Sequence, residues 1–151
     1  MKKLPIGIQT FGKIINENCY YVDKTPFIKK LEEGGYYFLS RPRRFGKSLF
    51  LDTIKEAFSG NKELFKGLYI YDKWDWSKKH PVIKIDFTEG NIKTPEDLKI
   101  KLTEMFISLQ REFDVEITFQ TFSGKLGELI YSLHKKYNQQ VVVLVDEYDK
   151  P

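Results

Sequence analysis

The sequence has 151 residues, 41% hydrophobic and 15% aromatic, which suits one globular domain with a real core and excludes a disordered chain. Its single cysteine excludes an internal disulfide, and no segment approaches the length of a membrane span, so we expect a cytoplasmic protein without a membrane partner. The net charge of +4 does not require a nucleic-acid partner, because Arg41, Arg43, Arg44 and Lys47 lie in one loop.

Residues 1–35 form an extension that ends in a first helix. Residues 6–22 alternate poorly and predict loop and short elements, with residues 20–22 as a short strand or extended segment. Thr25 as N-cap and Pro26 at the first helical position predict a helix that runs to about Glu33 and stops at Gly34-Gly35.

Residues 36–48, YYFLSRPRRFGKS, predict a strand, a polar loop and the start of a helix. A loop that delivers backbone N–H groups onto the first turn of a helix attracts anions. We expect Gly46 to let the main chain approach phosphates, Lys47 to reach the β and γ phosphates, and the Ser48 hydroxyl to ligate Mg²⁺. The stretch therefore predicts a nucleotide site.

The phosphate-binding loop departs from the usual G-x-x-x-x-G-K-[ST] pattern, because Arg41 stands at the first glycine and Pro42 removes one backbone N–H. Arg43 and Arg44 could restore positive potential by binding phosphate oxygens in a bidentate fork. The predicted nucleotide-binding residues are Arg43, Arg44, Phe45, Gly46, Lys47, Ser48 and Leu49.

The middle of the chain predicts three helices and one strand. Phe50, Leu51, Ile54, Ala57 and Phe58 place one apolar face on a helix behind the loop, Pro81 precedes a strand at 82–87, and helices follow at about 95–113 and 122–137. Trp74 and Trp76 are expected to pack in the core or at its edge. Asp86 either caps a turn or joins the site.

A second motif follows at residues 141–147, VVVLVDE, where five apolar residues predict a buried parallel strand with two carboxylates at its end. Ligands of open α/β sheets bind at the C-terminal ends of strands. We expect Asp146 to hold the Mg²⁺ shell and Glu147 to activate water, with Glu147 and Lys47 as the catalytic residues. The alternative, that both carboxylates only end a core strand in solvent, is weaker beside the Gly-Lys-Ser motif.

Three segments together resemble the AAA-ATPase-like family of prokaryotic P-loop proteins: RPRRFGKSL at 41–49, YVDKT at 21–25 and VDEYDKP at 145–151. The resemblance runs from about Ile6 to Pro151 and implies an α/β fold, a P-loop NTPase-like three-layer sandwich with a mainly parallel sheet. Residues 36–151 would then be an incomplete nucleotide-binding core, truncated after the Walker B strand. Members often carry a PD-(D/E)XK nuclease-like region downstream, which this sequence does not contain.

The resemblance also implies a sheet in which a further strand lies between the phosphate-loop strand and the strand ending at Asp146. Either the chain is a fragment of a longer protein, or the two strands pair directly, or another chain fills the gap. An unfilled slot would leave strand edges unpaired. We expect weak nucleotide binding and little turnover from these residues alone.

The resulting functional hypothesis is an ATP-binding module that uses Mg²⁺ and hydrolyses ATP in its full-length form. The alternative is a non-hydrolysing nucleotide-binding module that recruits a protein or nucleic-acid partner; self-association also stays open. A small-molecule kinase would need an acceptor site that the sequence does not supply. By resemblance Tyr20, Tyr21 or Asp23 could touch the base, although packing and capping are the favoured roles, and Asp149 and Lys150 have no derived role.

Overall fold

The computed structural model describes residues 1–40, 46–87 and 91–146, and it divides into two compact units, Met1–Lys79 and His80–Pro151. The described part of the first unit is helical. The second unit combines two helices with a two-stranded parallel sheet. The α/β class predicted from the sequence is therefore present in its coarse form.

The first unit contains α1 (Phe11–Asn16), α2 (Thr25–Lys29) and α3 (Lys47–Phe58). A 3-10 turn, Lys30–Glu33, continues α2, and Gly34 ends it at a positive φ of 79°. The predicted helices at 25–33 and behind the loop are confirmed, but the predicted cap is wrong: Lys24 stands at the N-cap without a side-chain capping hydrogen bond, and Thr25 is the first helical residue. Two more 3-10 turns, Lys62–Phe65 and Tyr69–Asp72, follow α3.

Helix α1 lies in a segment for which the sequence predicts only loop and short elements. Its Phe11 and Ile14 side chains are fully buried. The Phe11 backbone N–H donates a hydrogen bond of 2.7 Å to Asp52 Oδ2 on α3. A six-residue helix is too short to be stable alone, so these contacts with α3 stabilise it.

Aromatic rings form the centre of the first unit. Phe65 is fully buried, with its ring centroid 4.8 Å from that of Phe11 and 5.1 Å from that of Trp76. Trp74 packs edge-on against Phe58 at 5.0 Å. The expectation that both tryptophans pack in or beside the core is confirmed, and the Trp76 indole N–H is satisfied by the Tyr71 carbonyl at 2.8 Å.

The prediction that the first residues of the 36–48 stretch, residues 36–39, form a strand is wrong. Residues 36–40 have no regular secondary structure, and Tyr36, Tyr37 and Phe38 are each at least 60% exposed. A strand needs a neighbouring backbone to pair with, and the described part of the first unit contains no strand.

The second unit contains β1 (Val82–Asp86), α4 (Pro95–Phe113), α5 (Phe122–Tyr137) and β2 (Val142–Asp146). All four were predicted within one residue at each end. The strands are parallel, in register from Val82 opposite Val142 to Asp86 opposite Asp146. Alternate residues of the sheet face the helices, and the buried cluster consists of Ile83, Ile85, Phe106, Leu109, Phe113, Leu129 and Leu133.

Helices α4 and α5 both begin at a threonine cap. Thr94 Oγ1 accepts from the Asp97 N–H at 3.1 Å, and Asp97 Oδ2 accepts from the Thr94 N–H at 3.0 Å. Thr121 Oγ1 accepts from the Gly124 N–H in the same way. Backbone N–H groups of Lys93 and then Thr94 stabilise the carboxylate, which lowers the pKa of Asp97.

None of the helices in the described ranges is both long enough and apolar enough to cross a membrane.

Phe65→Ala should lower the free energy of unfolding by about 3–5 kcal/mol, because it opens a cavity in the aromatic cluster. Urea denaturation followed by tryptophan fluorescence measures this directly. Phe27, which is 51% exposed, provides the control, and Phe27→Ala should cost far less. Equal losses for the two variants would contradict the buried position of Phe65.

The two side chains of the α4 capping box, Asp97 and Thr94, should differ in how their contribution to the free energy of unfolding depends on pH. Folding lowers the pKa of Asp97, so its carboxylate stabilises the fold above the ordinary aspartate value near 4 and loses that effect as the pH falls through the lowered value. Asp97→Asn should therefore destabilise the chain at neutral pH and match it in acid.

Thr94→Ala is the matched comparison. It should cost about 0.5–2 kcal/mol at neutral pH and should still destabilise the chain in acid, because the Thr94 hydroxyl also caps the Asp97 N–H. Thermal melts by circular dichroism at neutral pH and near the acid limit of the fold test both variants. A constant difference between Asp97→Asn and the unmodified chain across pH would contradict the assignment.

Candidate functional site

The first half of the candidate site is the turn that starts α3. Gly46 has φ 76° and ψ 24°, the left-handed conformation, and Lys47 is the first residue of the helix. The Phe50 N–H donates to the Gly46 carbonyl at 2.9 Å and closes the first helical turn. Glycine adopts this conformation more readily than any residue with a Cβ, so Gly46 suits the position where the helix begins.

The start of α3 lacks the side-chain cap found at α4 and α5, and it lacks the acidic first turn found at α4. Gly46 has no side chain with which to cap the helix, and the first turn of α3 contains no acidic residue. In contrast, α4 carries Glu96 and Asp97 in its first turn. The N-terminal end of a helix is its positive end, so α3 presents that end with basic Lys47 and no acidic side chain of its own.

Lys24 is a further basic residue beside this turn, and sequence reasoning missed it. Its Nζ lies 3.5 Å from the position that a Cβ would occupy on Gly46. The only signal in the sequence was its place inside the YVDKT motif at residues 21–25. The sequence gives no spacing rule by which that motif could be linked to Gly46.

The residues on either side of Lys24 are firmly anchored. Asp23 Oδ1 accepts from both the backbone N–H and the hydroxyl of Thr25, at 2.9 and 2.6 Å. Asp23 Oδ2 accepts from the Tyr69 N–H at 2.8 Å. Thr25 is fully buried, and its Oγ1 accepts from the Ile70 N–H at 3.4 Å. Asp23 therefore acts as a turn cap, the role favoured from sequence.

Tyr21 and Tyr20 differ in their surroundings. The Tyr21 ring packs edge-on against Phe11 at 5.0 Å. Burial raises the pKa of the Tyr21 hydroxyl, and a hydrogen bond with Thr53 of α3 opposes that rise. Tyr20 is 54% exposed. The packing role expected for the tyrosines is therefore seen for Tyr21 and not for Tyr20.

The second half of the predicted site lies in the second unit. Asp146 is the last residue of β2, is only 6% exposed, and stands opposite Asp86 in the parallel register. Paired residues of adjacent in-register strands share one face, so both carboxylates lie on the same face at the C-terminal ends of the strands. Carboxylate oxygens are the ligand type that Mg²⁺ prefers.

No group of three or more His, Cys, Asp or Glu residues able to hold a metal ion occurs within residues 1–40, 46–87 and 91–146. His80 and His134 each direct Nδ1 to a backbone carbonyl, of Gln140 and Gln139 respectively, at 2.9 Å.

The predicted site residues fall into three groups: some lie in the first unit, one lies in the second unit, and the rest lie outside the described residues. Gly46, Lys47, Ser48 and Leu49 lie together at the start of α3 in the first unit, and the last three are half-buried. Asp146 lies in the second unit. Arg43, Arg44, Phe45 and Glu147, together with Asp149 and Lys150, lie outside the described residues.

Comparison with solved structures finds no match. Among curated proteins, the chain is 52% identical over 152 residues to "Uncharacterized protein in vnfD 5'region" of Azotobacter chroococcum mcd 1. That alignment covers 99% of this chain and 30% of the relative, so the chain spans less than a third of the relative's length. The family model described as "Predicted AAA-ATPase" matches residues 5–151, and the chain therefore belongs to the AAA-ATPase-like family.

Proposed function

We propose that the chain is an ATP-binding P-loop module whose phosphate site is the N-terminal end of α3. The observation that carries the proposal is Gly46, left-handed and directly followed by Lys47 and Ser48 at the start of the helix. This combination gives a phosphate close main-chain contact, the positive helix end and a lysine ammonium.

The chemical groups at the start of α3 suit the binding of a nucleotide with Mg²⁺. Gly46 leaves open the space that a Cβ would fill, Lys47 provides positive charge for the phosphates, and Ser48 provides a hydroxyl oxygen of the kind that ligates Mg²⁺. Bound Mg²⁺ would supply charge neutralisation between phosphate oxygens. Arg43 and Arg44 would add bidentate phosphate contacts, with Phe45 and Leu49 contributing backbone groups.

Two carboxylates complete the proposal. Asp146 would hold the Mg²⁺ shell, and Glu147 would orient and deprotonate the attacking water in a form of the protein that hydrolyses ATP. The burial of Asp146 at the carboxyl end of a parallel strand supports this role, because that strand end is where α/β sheets bind ligands. ATP is proposed over GTP on family grounds, since the sequence contains no Asn-Lys-x-Asp motif.

The fold we propose around this site is the P-loop three-layer sandwich. The parallel pair β1 and β2, with α4 and α5 between them in sequence, supports that architecture. β2 would be the Walker B strand. The proposal extends the observed two strands to the larger, mainly parallel sheet that the family resemblance implies.

Lys47→Ala should abolish saturable, Mg²⁺-dependent binding of a fluorescent ATP analogue, because it removes the ammonium that faces the phosphates. Fluorescence titration of the purified chain measures the affinity, and EDTA should weaken it. Lys55→Ala, on the last turn of the same helix, is the charge-matched control and should bind normally. If the folded chain binds no nucleotide, or if Lys47→Ala binds as well as the unmodified chain, the proposed site is wrong.

Glu147→Gln should lower ATP turnover by about 10²–10⁴-fold, the range expected for loss of a general base, and should leave ATP binding intact. Phosphate release and nucleotide titration, made on a form of the protein that hydrolyses ATP, separate the two effects. If no form hydrolyses ATP although nucleotide binds, the non-hydrolysing interaction module is the better description.

A further inference from the structure

We propose that Lys24 is a second phosphate-binding lysine that contacts the same anion as Lys47. This inference rests on the proposed function, because it assigns a further ligand to the site at the start of α3. It gives the Asp-Lys-Thr segment at residues 23–25 a chemical role. No role for Lys24 follows from the sequence pattern.

The position of Lys24 is the first argument. Its Nζ lies 3.5 Å from the place where a Cβ would stand on Gly46. In the proposed site the missing side chain of Gly46 is what lets phosphate approach the main chain. An ammonium in contact with that same space lies within hydrogen-bonding reach of an anion that enters it.

The charge environment is the second argument. The ion pairs formed within the described ranges involve Lys13, Lys29, Lys73 and Lys78, and Lys24 takes part in none of them. The adjacent carboxylate, Asp23, is occupied by donors from Thr25 and Tyr69. Within residues 1–40, 46–87 and 91–146, the ammonium of Lys24 therefore has no ion-pair partner.

The direction of the helix dipole sharpens this argument. A cation at the N-terminal end of a helix is repelled by the positive end of the dipole, and acidic residues are the usual occupants there. α3 has no acidic residue in its first turn, and it has Lys24 beside its first residues. An anion bound between Lys24, Lys47 and the helix end would turn this repulsion into attraction.

The anchoring of Lys24 is the third argument. Its backbone is fixed on one side by Asp23, which is bonded to Tyr69, and on the other by buried Thr25. The Lys24 carbonyl also accepts from the Phe27 N–H at 3.1 Å. A lysine whose backbone is held in place loses less conformational freedom on binding an anion than one on a mobile loop.

The test is a titration of the purified chain with fluorescent Mg-ATP and Mg-ADP, comparing the unmodified chain with four variants. Lys24→Gln should weaken ATP binding by about tenfold, the effect of losing one charge-assisted hydrogen bond. Lys24→Arg, which keeps the charge, should stay within a few-fold of the unmodified chain. Lys66→Gln, an exposed lysine of the same unit, should have no effect, and Lys47→Ala should abolish binding.

Circular dichroism melts establish that the variants keep their fold. If Lys47→Ala loses binding and Lys24→Gln keeps it, Lys24 is not a phosphate ligand and the proposed function stands. Equal weakening by Lys24→Gln and Lys66→Gln would also overturn the inference, because only general charge would then matter. If the unmodified chain binds neither nucleotide, the proposed function itself fails, and this inference fails with it.

Discussion

The left-handed turn at Gly46 is the constraint on which the candidate site depends. It sets the residue at which α3 begins, and with it the direction of the helix dipole and the placement of Lys47 and Ser48. It also keeps open the space beside the Lys24 ammonium. A side chain at this position would meet an unfavourable backbone conformation before any question of room arises.

The rest of the first unit serves largely to hold α3. Asp52 binds the Phe11 backbone, Thr53 bonds with Tyr21, and Phe58 packs on Trp74. These contacts join α3 to the N-terminal segment and to Trp74 of the aromatic cluster. The extension at the start of the chain is thus part of the packing that supports α3.

Sequence reasoning succeeded where local chemistry decides structure. The helices expected at about 95–113 and 122–137 and the strands expected from the apolar runs are present as α4, α5, β1 and β2. It failed where contacts distant in sequence decide structure. α1 is held by contacts with α3 that the sequence does not reveal, and residues 36–39 carry a strand-like pattern but have no regular secondary structure. Lys24 belongs to the same class, because only the folded chain brings it to Gly46.

The hydrogen bonds of Asp23 with Thr25 and Tyr69 have a thermodynamic consequence. An anion bound at α3 that also contacts Lys24 would bind only the state in which this turn is folded, and would stabilise it by mass action. Because such coupling is reciprocal, substitutions in the turn or under Tyr69 would change nucleotide affinity without touching nucleotide. Amide exchange in residues 20–25 and 69–72 would then slow when the site is filled.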